Sequence, residues 1–128
     1  ILLPYVMRYN GTRPAKAATW PKYNYYRADE KFQDIARMLG LPSSTPEEAV
    51  DALAKAVYEL GEAVGIEMNF KAQGVDHKEW LDTIHEIAML AYEDQCSPAN
   101  PRLPMVADME EILADAYFGY KERPGRIK

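Results

Sequence analysis

Apolar residues recur at intervals of three and four along most of the chain, the spacing that places them on one face of an α-helix. This pattern occupies residues 28–39, 46–64, 77–91 and about 106–118. No segment alternates apolar and polar residues with a period of two. Together with a nearly uniformly apolar stretch at residues 1–9, the pattern predicts an all-α fold, a helical bundle of five to six helices.

Each amphipathic segment has a predicted inner face that packs in the core. These faces are Phe32, Ile35, Ala36 and Leu39 in the first such segment; Val50, Leu53, Val57, Leu60 and Val64 in the second; Trp80, Ile84, Ile87, Ala88 and Ala91 in the third; and Met109, Ile112, Leu113, Ala116 and Tyr117 in the last.

Local residues also predict where the helices begin and end. Thr45 precedes Pro46 and lies three residues before Glu48, which is the arrangement of a capping box. Asp76 and Glu79 repeat that spacing. Glycines at Gly40, Gly65, Gly74 and Gly119 are expected to provide left-handed stops.

The first predicted helix is apolar on nearly every side. Its apolar residues are Ile1, Leu2, Leu3, Tyr5, Val6, Met7 and Tyr9. A helix of this kind is buried on all sides, so we expect it to lie in the middle of the bundle, with Pro4 tolerated near its start. If later helices do not cover it, the chain should associate with itself or expose an apolar patch.

Two segments are predicted to be irregular. Residues 10–26 form a long connection with two prolines, Trp20 and several tyrosines, a loop expected to be pinned by its own rings. Residues 119–128 are basic and polar after Gly119, so they are predicted to be a flexible tail.

Composition narrows the function classes. The chain has 128 residues, 48% of them hydrophobic and 27% charged, which is the balance of a globular domain. Its net charge of -5 argues against a nucleic-acid partner. A single cysteine suits a reducing compartment, so we expect a cytoplasmic protein. No apolar run reaches the roughly 20 residues of a membrane span, so no membrane partner is expected.

The stretch from residue 88 to residue 102 carries the main candidate site. It is a helix that runs into Cys96 and then stops, because Pro98 and Pro101 cannot continue it. The resulting elbow is expected to bring the Cys96 thiol, the Asn100 amide and the Arg102 guanidinium near one another. The alternative is a plain turn between helices with a buried structural cysteine.

The sequence does not supply a complete catalytic or metal site. His77 and His85 are eight positions apart on one helix, too far along its axis to bind one ion. Asp82 and His85 have the spacing of carboxylate-bridged bundles, but those bundles need the pair twice. Cys96 lies about three turns from His85, so a thiol–imidazole pair is not expected. We therefore predict no metal and no cofactor bound by this chain alone, and no catalytic residue within it.

The sequences of several segments resemble those of the iron-containing alcohol dehydrogenase family. ILLPYVMRYN at residues 1–10 and DQCSPANPR at residues 94–102 carry the resemblance, and residues 35–40, 64–66 and 74–75 agree in order and spacing. The long 11–26 connection, the ANPR-x-P wording and the ending AYFGY resemble most closely the carboxy-terminal part of the bifunctional aldehyde-alcohol dehydrogenases.

This resemblance implies a parent enzyme with a nucleotide-binding half and a helical metal-binding half, to which residues 1–128 would contribute a fragment. In the parent, iron and NAD would serve the reduction of acetaldehyde to ethanol, with hydride passing from the nicotinamide to a carbonyl polarised by the metal. The family holds its metal with one Asp and three His, all upstream of the position that matches Ile1. The expected partners are the remainder of the parent enzyme and further copies, in a homo-oligomer or filament.

Roles for four residues follow from the resemblance. Cys96 and Asn100 are expected to line the cleft between the two halves, and Pro101 and Arg102 to form a structural turn. The sequence departs from the family at Ser97-Pro98, where relatives commonly have Thr-Gly. The alternative function is a free-standing helical interaction module that binds through the Trp20–Tyr26 loop or the first helix.

Overall fold

The computed structural model describes residues 1–14 and 26–120. Within these ranges it contains five α-helices, one short 3₁₀ turn and no strand. The helices are α1 (Leu3–Gly11), α2 (Ala28–Met38), α3 (Pro46–Ala63), α4 (His77–Glu93) and α5 (Val106–Phe118), and the 3₁₀ turn is Ser97–Ala99. The prediction of an all-α bundle of five to six helices is confirmed. Residues 15–25 and 121–128, which include most of the predicted aromatic loop and tail, lie outside the described residues.

The predicted N-caps of α3 and α4 form, but the capping boxes predicted with Glu48 and Glu79 are not completed. Thr45 Oγ1 accepts a hydrogen bond from the backbone N–H of Glu48 at 3.2 Å. The Glu48 carboxylate accepts from the N–H of Ser44 at 2.6 Å, one residue before the donor that a capping box uses. Asp76 Oδ1 accepts from two N–H groups of the first turn of α4, at 2.9 and 3.0 Å. Both helix starts are therefore fixed by local side chains.

The helix α1 lies centrally and packs against α2, α3 and α5. Tyr5 is only 1% exposed and, with Pro4, is among the largest fully buried side chains. The prediction of burial on every side is wrong for the first turn, where Leu2 and Leu3 are exposed. Pro4 in the same turn is fully buried, so only one side of this turn is exposed.

A close-packed cluster joins α1, α2 and α3. It contains Met7 and Leu53 together with three fully buried alanines, Ala36, Ala49 and Ala54. Small side chains let helix backbones approach each other, since ridges of one helix then fit closely into grooves of the next. At the C-terminal end of α1, a Cβ atom added to Gly11 would lie 2.5 Å from Val50 Cγ2.

The apolar faces of α2 and α3 become more exposed toward the C-terminal end of each helix. Leu53 is buried, whereas Leu60 is 63% and Val64 is 64% exposed, so the prediction that these two lie in the core is wrong. The same correction applies to Ile35 and Leu39 in and just after α2. α3 has 18 residues, against 9 in α1 and 11 in α2, so these two helices do not cover Leu60 and Val64 near its end.

The second half of the described chain packs as a pair, α4 against α5. Trp80 and Ala88 of α4 and Leu113 and Tyr117 of α5 form its buried cluster. On the neighbouring face of α4, Ile87 and Ala91 are exposed rather than buried as predicted, and so is Leu90. These side chains face a groove and not another helix, which is the reason for their exposure.

The end of α5 is anchored at α1. Gly119 has φ +86 and is buried. The Tyr120 ring lies under the Arg8 guanidinium, with 4.0 Å from Cζ to the ring centroid. Arg8 is itself buried and bridges to Asp51 of α3 at 3.0 Å. These contacts join the first helix to the last.

Candidate functional site

A groove of about 630 Å³ runs between α1 and α4. We call it the α1–α4 groove. One wall comes from the start and face of α1 (Leu2, Val6, Tyr9), the other from α4 (Ile87, Leu90, Ala91), and α5 provides the floor (Met109, Ile112, Leu113). Most of the lining is apolar, and the volume is in the range of ~300–1,000 Å³ that is usual for binding sites of small molecules.

The elbow, residues 96–104, closes one end of this groove. Cys96, Ser97, Asn100 and Pro104 line it there, next to Asp94 at the end of α4. The polar groups of the groove are therefore concentrated at one end. This separation of an apolar channel from a polar end allows a ligand to be oriented as well as bound.

Cys96 is exposed, so the alternative of a buried structural cysteine is wrong. Its backbone N–H donates to Asp94 Oδ1 at 2.8 Å. The hydrogen bond of the thiol to the Asp94 side chain, and the charge of that carboxylate, raise the pKa of the Cys96 thiol above its usual value. A thiol with a raised pKa is a poor nucleophile at neutral pH. Cys96 can therefore line a site without reacting readily.

The elbow brings only two of its three predicted polar groups to the groove. Cys96 and Asn100 both line it. Arg102 turns instead to Tyr9 of α1, where its Cζ lies 4.0 Å from the ring centroid. Pro101 is exposed between Asn100 and Arg102.

The two histidines do not come together. His77 lies against the rings of Tyr117 and Phe118, at centroid distances of 5.0 and 5.6 Å. His85 Nδ1 lies 2.6 Å from Glu110 Oε1 on the exposed side of α4 and α5. Over residues 1–14 and 26–120, no three His, Cys, Asp or Glu side chains are grouped so that they could hold a metal ion. The described residues therefore do not fit an iron site.

Sequence reasoning missed the residues of α1 that hold the elbow. Asn10 and Asn100 exchange two side-chain hydrogen bonds, at 3.0 and 2.7 Å, across 90 positions of the chain. Tyr9 contacts the elbow through its ring and hydroxyl. No local signal in the sequence pairs these residues, because their proximity depends on how α1 and α5 pack.

Within residues 1–14 and 26–120, no helix is both long enough and apolar enough to cross a membrane.

Comparison with known proteins identifies relatives over nearly the whole chain. The chain is 77% identical, over all 128 residues, to the aldehyde-alcohol dehydrogenase of Streptococcus pneumoniae serotype 2, and these residues are 14% of that protein. It is 52% identical over 118 residues to aldehyde-alcohol dehydrogenase 2 of Entamoeba histolytica, covering 92% of this chain and 14% of the relative. The lactaldehyde reductase of Escherichia coli is 33% identical over 119 residues, which are 91% of this chain and 26% of that enzyme.

The chain thus spans about one-seventh of the length of the aldehyde-alcohol dehydrogenases it matches. A family model described as Fe-containing alcohol dehydrogenase family, C-terminal, matches residues 1–117. The helical fold and the sequence of residues 94–102 agree with this match. The chain therefore belongs to the Fe-containing alcohol dehydrogenase family and corresponds to its C-terminal part.

Proposed function

We propose that this chain is a segment of the helical metal-binding half of an NAD- and iron-dependent alcohol dehydrogenase that reduces acetaldehyde to ethanol. Its α1–α4 groove would form one wall of the cleft between that half and the nucleotide-binding half. The observation that carries the proposal is the position of Cys96 and Asn100 at the polar end of an apolar groove. The 77% identity to an aldehyde-alcohol dehydrogenase through all 128 residues supports it.

This chain would shape the cleft and exclude water from it, and would not supply reacting groups. Apolar side chains such as Val6 and Ile112 exclude water from the groove, which strengthens electrostatic interactions at a reacting centre nearby. The Asn100 amide would present a polar group at the cleft. Pro101 and Arg102 would form the structural turn that follows it.

Iron and NAD would be bound elsewhere in such an enzyme. The described residues hold no grouped set of metal ligands, and no glycine-rich phosphate-binding turn precedes a helix in the sequence. The chain alone should therefore catalyse no turnover with iron and NADH.

Further parts of the proposal concern the surroundings of the enzyme. The lone cysteine is consistent with a cytoplasmic location. Exposed apolar residues at the end of α3 and beyond it, Leu60, Val64 and Ile66, are candidates for contacts with the remainder of the enzyme or with another copy in a homo-oligomer or filament.

A chimera tests the proposed function. The matching segment of the Streptococcus pneumoniae enzyme is replaced by this 128-residue chain, and NADH-dependent reduction of acetaldehyde is measured beside the aldehyde dehydrogenase activity of the same preparation. We expect both activities to be retained, with iron bound. A deletion of the segment is the control and should lose the reduction of acetaldehyde. A chimera that keeps aldehyde dehydrogenase activity but cannot reduce acetaldehyde would contradict the proposal.

A further inference from the structure

Two groups of contacts tie the elbow to the C-terminal end of α1. In the first, Asn10 Nδ2 donates to Asn100 Oδ1 at 3.0 Å, and Asn100 Nδ2 donates to Asn10 Oδ1 at 2.7 Å. Asn10 is buried, and its carbonyl oxygen accepts a further hydrogen bond from the Tyr26 hydroxyl. The pair is reciprocal, so neither amide can rotate without breaking both bonds.

The second group lies on the other side of Pro101. The Arg102 guanidinium stacks on the Tyr9 ring, and its Nη1 donates to the Tyr9 carbonyl oxygen at 3.1 Å. The Tyr9 hydroxyl lies 3.0 Å from the Leu103 carbonyl oxygen and 3.1 Å from Asp108 Oδ2. The Asn100 amide also donates to the Arg102 carbonyl oxygen, which connects the two groups.

These contacts determine where the polar end of the groove lies. The elbow is attached to α4 by short-range contacts near its beginning, such as the hydrogen bond from Ser97 Oγ to the Ala91 carbonyl oxygen. Pro98 and Pro101 restrict the backbone of the elbow, which favours a stiff segment. Its distance from α1, and so the width of the groove at Cys96, therefore depends on the contacts with Tyr9 and Asn10.

We propose that Asn10 and Arg102 are positioning residues that hold the groove wall bearing Cys96 and Asn100 against α1. We call the contacts of Tyr9, Asn10, Asn100 and Arg102 the elbow clamp. The inference rests on the proposed function for its catalytic consequence. The mechanical part, that the clamp orders the elbow, stands on the geometry of this chain alone.

The first experiment measures order in the elbow. Cys96 is the only cysteine, so a nitroxide label attached to it reports on the elbow without ambiguity. We expect the electron paramagnetic resonance spectrum to change from a restricted to a mobile line shape in Asn10→Ala. The double variant Asn10→Ala/Asn100→Ala should be at least as mobile as Asn10→Ala, since it removes the same reciprocal pair and also the hydrogen bond from Asn100 to the Arg102 carbonyl oxygen.

Gln33→Ala is the matched control. Gln33 is a buried amide whose Nε2 donates to the Ser43 carbonyl oxygen at 2.9 Å, remote from the elbow. Its loss should lower the melting temperature while leaving the line shape unchanged. If Asn10→Ala does not fold, Arg102→Lys provides the test, because lysine keeps the charge but not the planar stack on Tyr9. An unchanged, restricted line shape in the folded clamp variants would overturn the proposal.

The second experiment measures catalysis in the chimeric enzyme. We expect Asn10→Ala to lower kcat for acetaldehyde by about tenfold, as a misplaced cleft wall does, with iron content unchanged and a smaller change in KM. Gln33→Ala should keep the kcat of the unmodified chimera. A mobile elbow with unchanged kcat would overturn the positioning role. An unmodified chimera without alcohol dehydrogenase activity would contradict the proposed function instead, and the label experiment would still decide whether the clamp orders the elbow.

Discussion

The helices α1–α3 and the α4–elbow–α5 region are built from similar amphipathic segments, but they bury them differently. In the first region, fully buried alanines such as Ala36 and Ala54 bring the helices close together. In the second, Ile87 and Leu90 of α4 remain exposed along the α1–α4 groove. Close packing thus provides stability in one region, while incomplete packing leaves an open groove in the other.

Polar groups follow the same division. The α2–α3 pair is joined mainly through its apolar core. The elbow is held to α1 by side-chain hydrogen bonds and a cation–π contact. Directional contacts fix position more sharply than apolar packing, which suits a wall whose placement matters.

The largest difference in the free energy of unfolding between a buried and an exposed position is expected within α3. Leu53→Ala should lower the free energy of unfolding by about 2–5 kcal/mol, because Leu53 is in the core and its truncation leaves a cavity. Leu60→Ala, on the same stripe but 63% exposed, should change it by less than about 0.5 kcal/mol. Urea unfolding followed by circular dichroism measures both. Equal losses would show that Leu60 is covered, contrary to the structure.

The next largest loss of stability is expected where α1 and α3 approach each other closely. Gly11→Ala should destabilise the chain by about 1–3 kcal/mol, since the new Cβ would meet Val50 Cγ2 at 2.5 Å. Thermal unfolding measures the loss. The double variant Gly11→Ala/Val50→Ala separates this clash from a general helix effect: it should be more stable than the sum of the two single losses predicts. Strict additivity would mean that α1 and α3 are not in close contact at this point.

Removing one helix cap from each region allows the local stabilities of the two regions to be compared. Thr45→Ala and Asp76→Ala should each lower stability by about 0.5–2 kcal/mol, because each removes an acceptor for N–H groups of a first turn. Hydrogen exchange should locate the loss in α3 for Thr45→Ala, and in α4 and α5 for Asp76→Ala. Faster exchange throughout the chain in both variants would show that the two regions open as one unit.

The smallest effect concerns Cys96. Asp94→Asn should lower the pKa of the thiol, since the Asp94 hydrogen bond and charge raise it. At pH 8 the variant then carries more thiolate, so its reaction with a disulfide reagent becomes faster and the pH profile moves to lower pH. Asp82→Asn is the control, because Asp82 pairs with Lys78 near the other end of α4. A pH profile unchanged by Asp94→Asn would exclude the proposed influence of Asp94.

Part of the candidate site could be predicted from the sequence. Pro98 and Pro101 restrict the backbone between Cys96 and Asn100, because each constraint acts on its immediate neighbours. The prediction that α4 runs into Cys96 is wrong, since α4 already ends at Glu93 and Ser97–Ala99 forms a 3₁₀ turn. The opposite wall could not be predicted. Val6 and Tyr9 reach the groove only through the packing of α1 on α5, and no local pattern relates Asn10 to Asn100.

The sequence by itself determined the helices, the starts of α3 and α4, and the end of α2. Thr45 and Asp76 act on N–H groups two or three residues away, and Gly40 adopts φ +68 just after α2. Only the tertiary structure decided which apolar residues are covered. Leu53 and Leu60 belong to one stripe, yet one is buried and the other exposed, because a stripe defines the direction of a helix face and not the length of its neighbours.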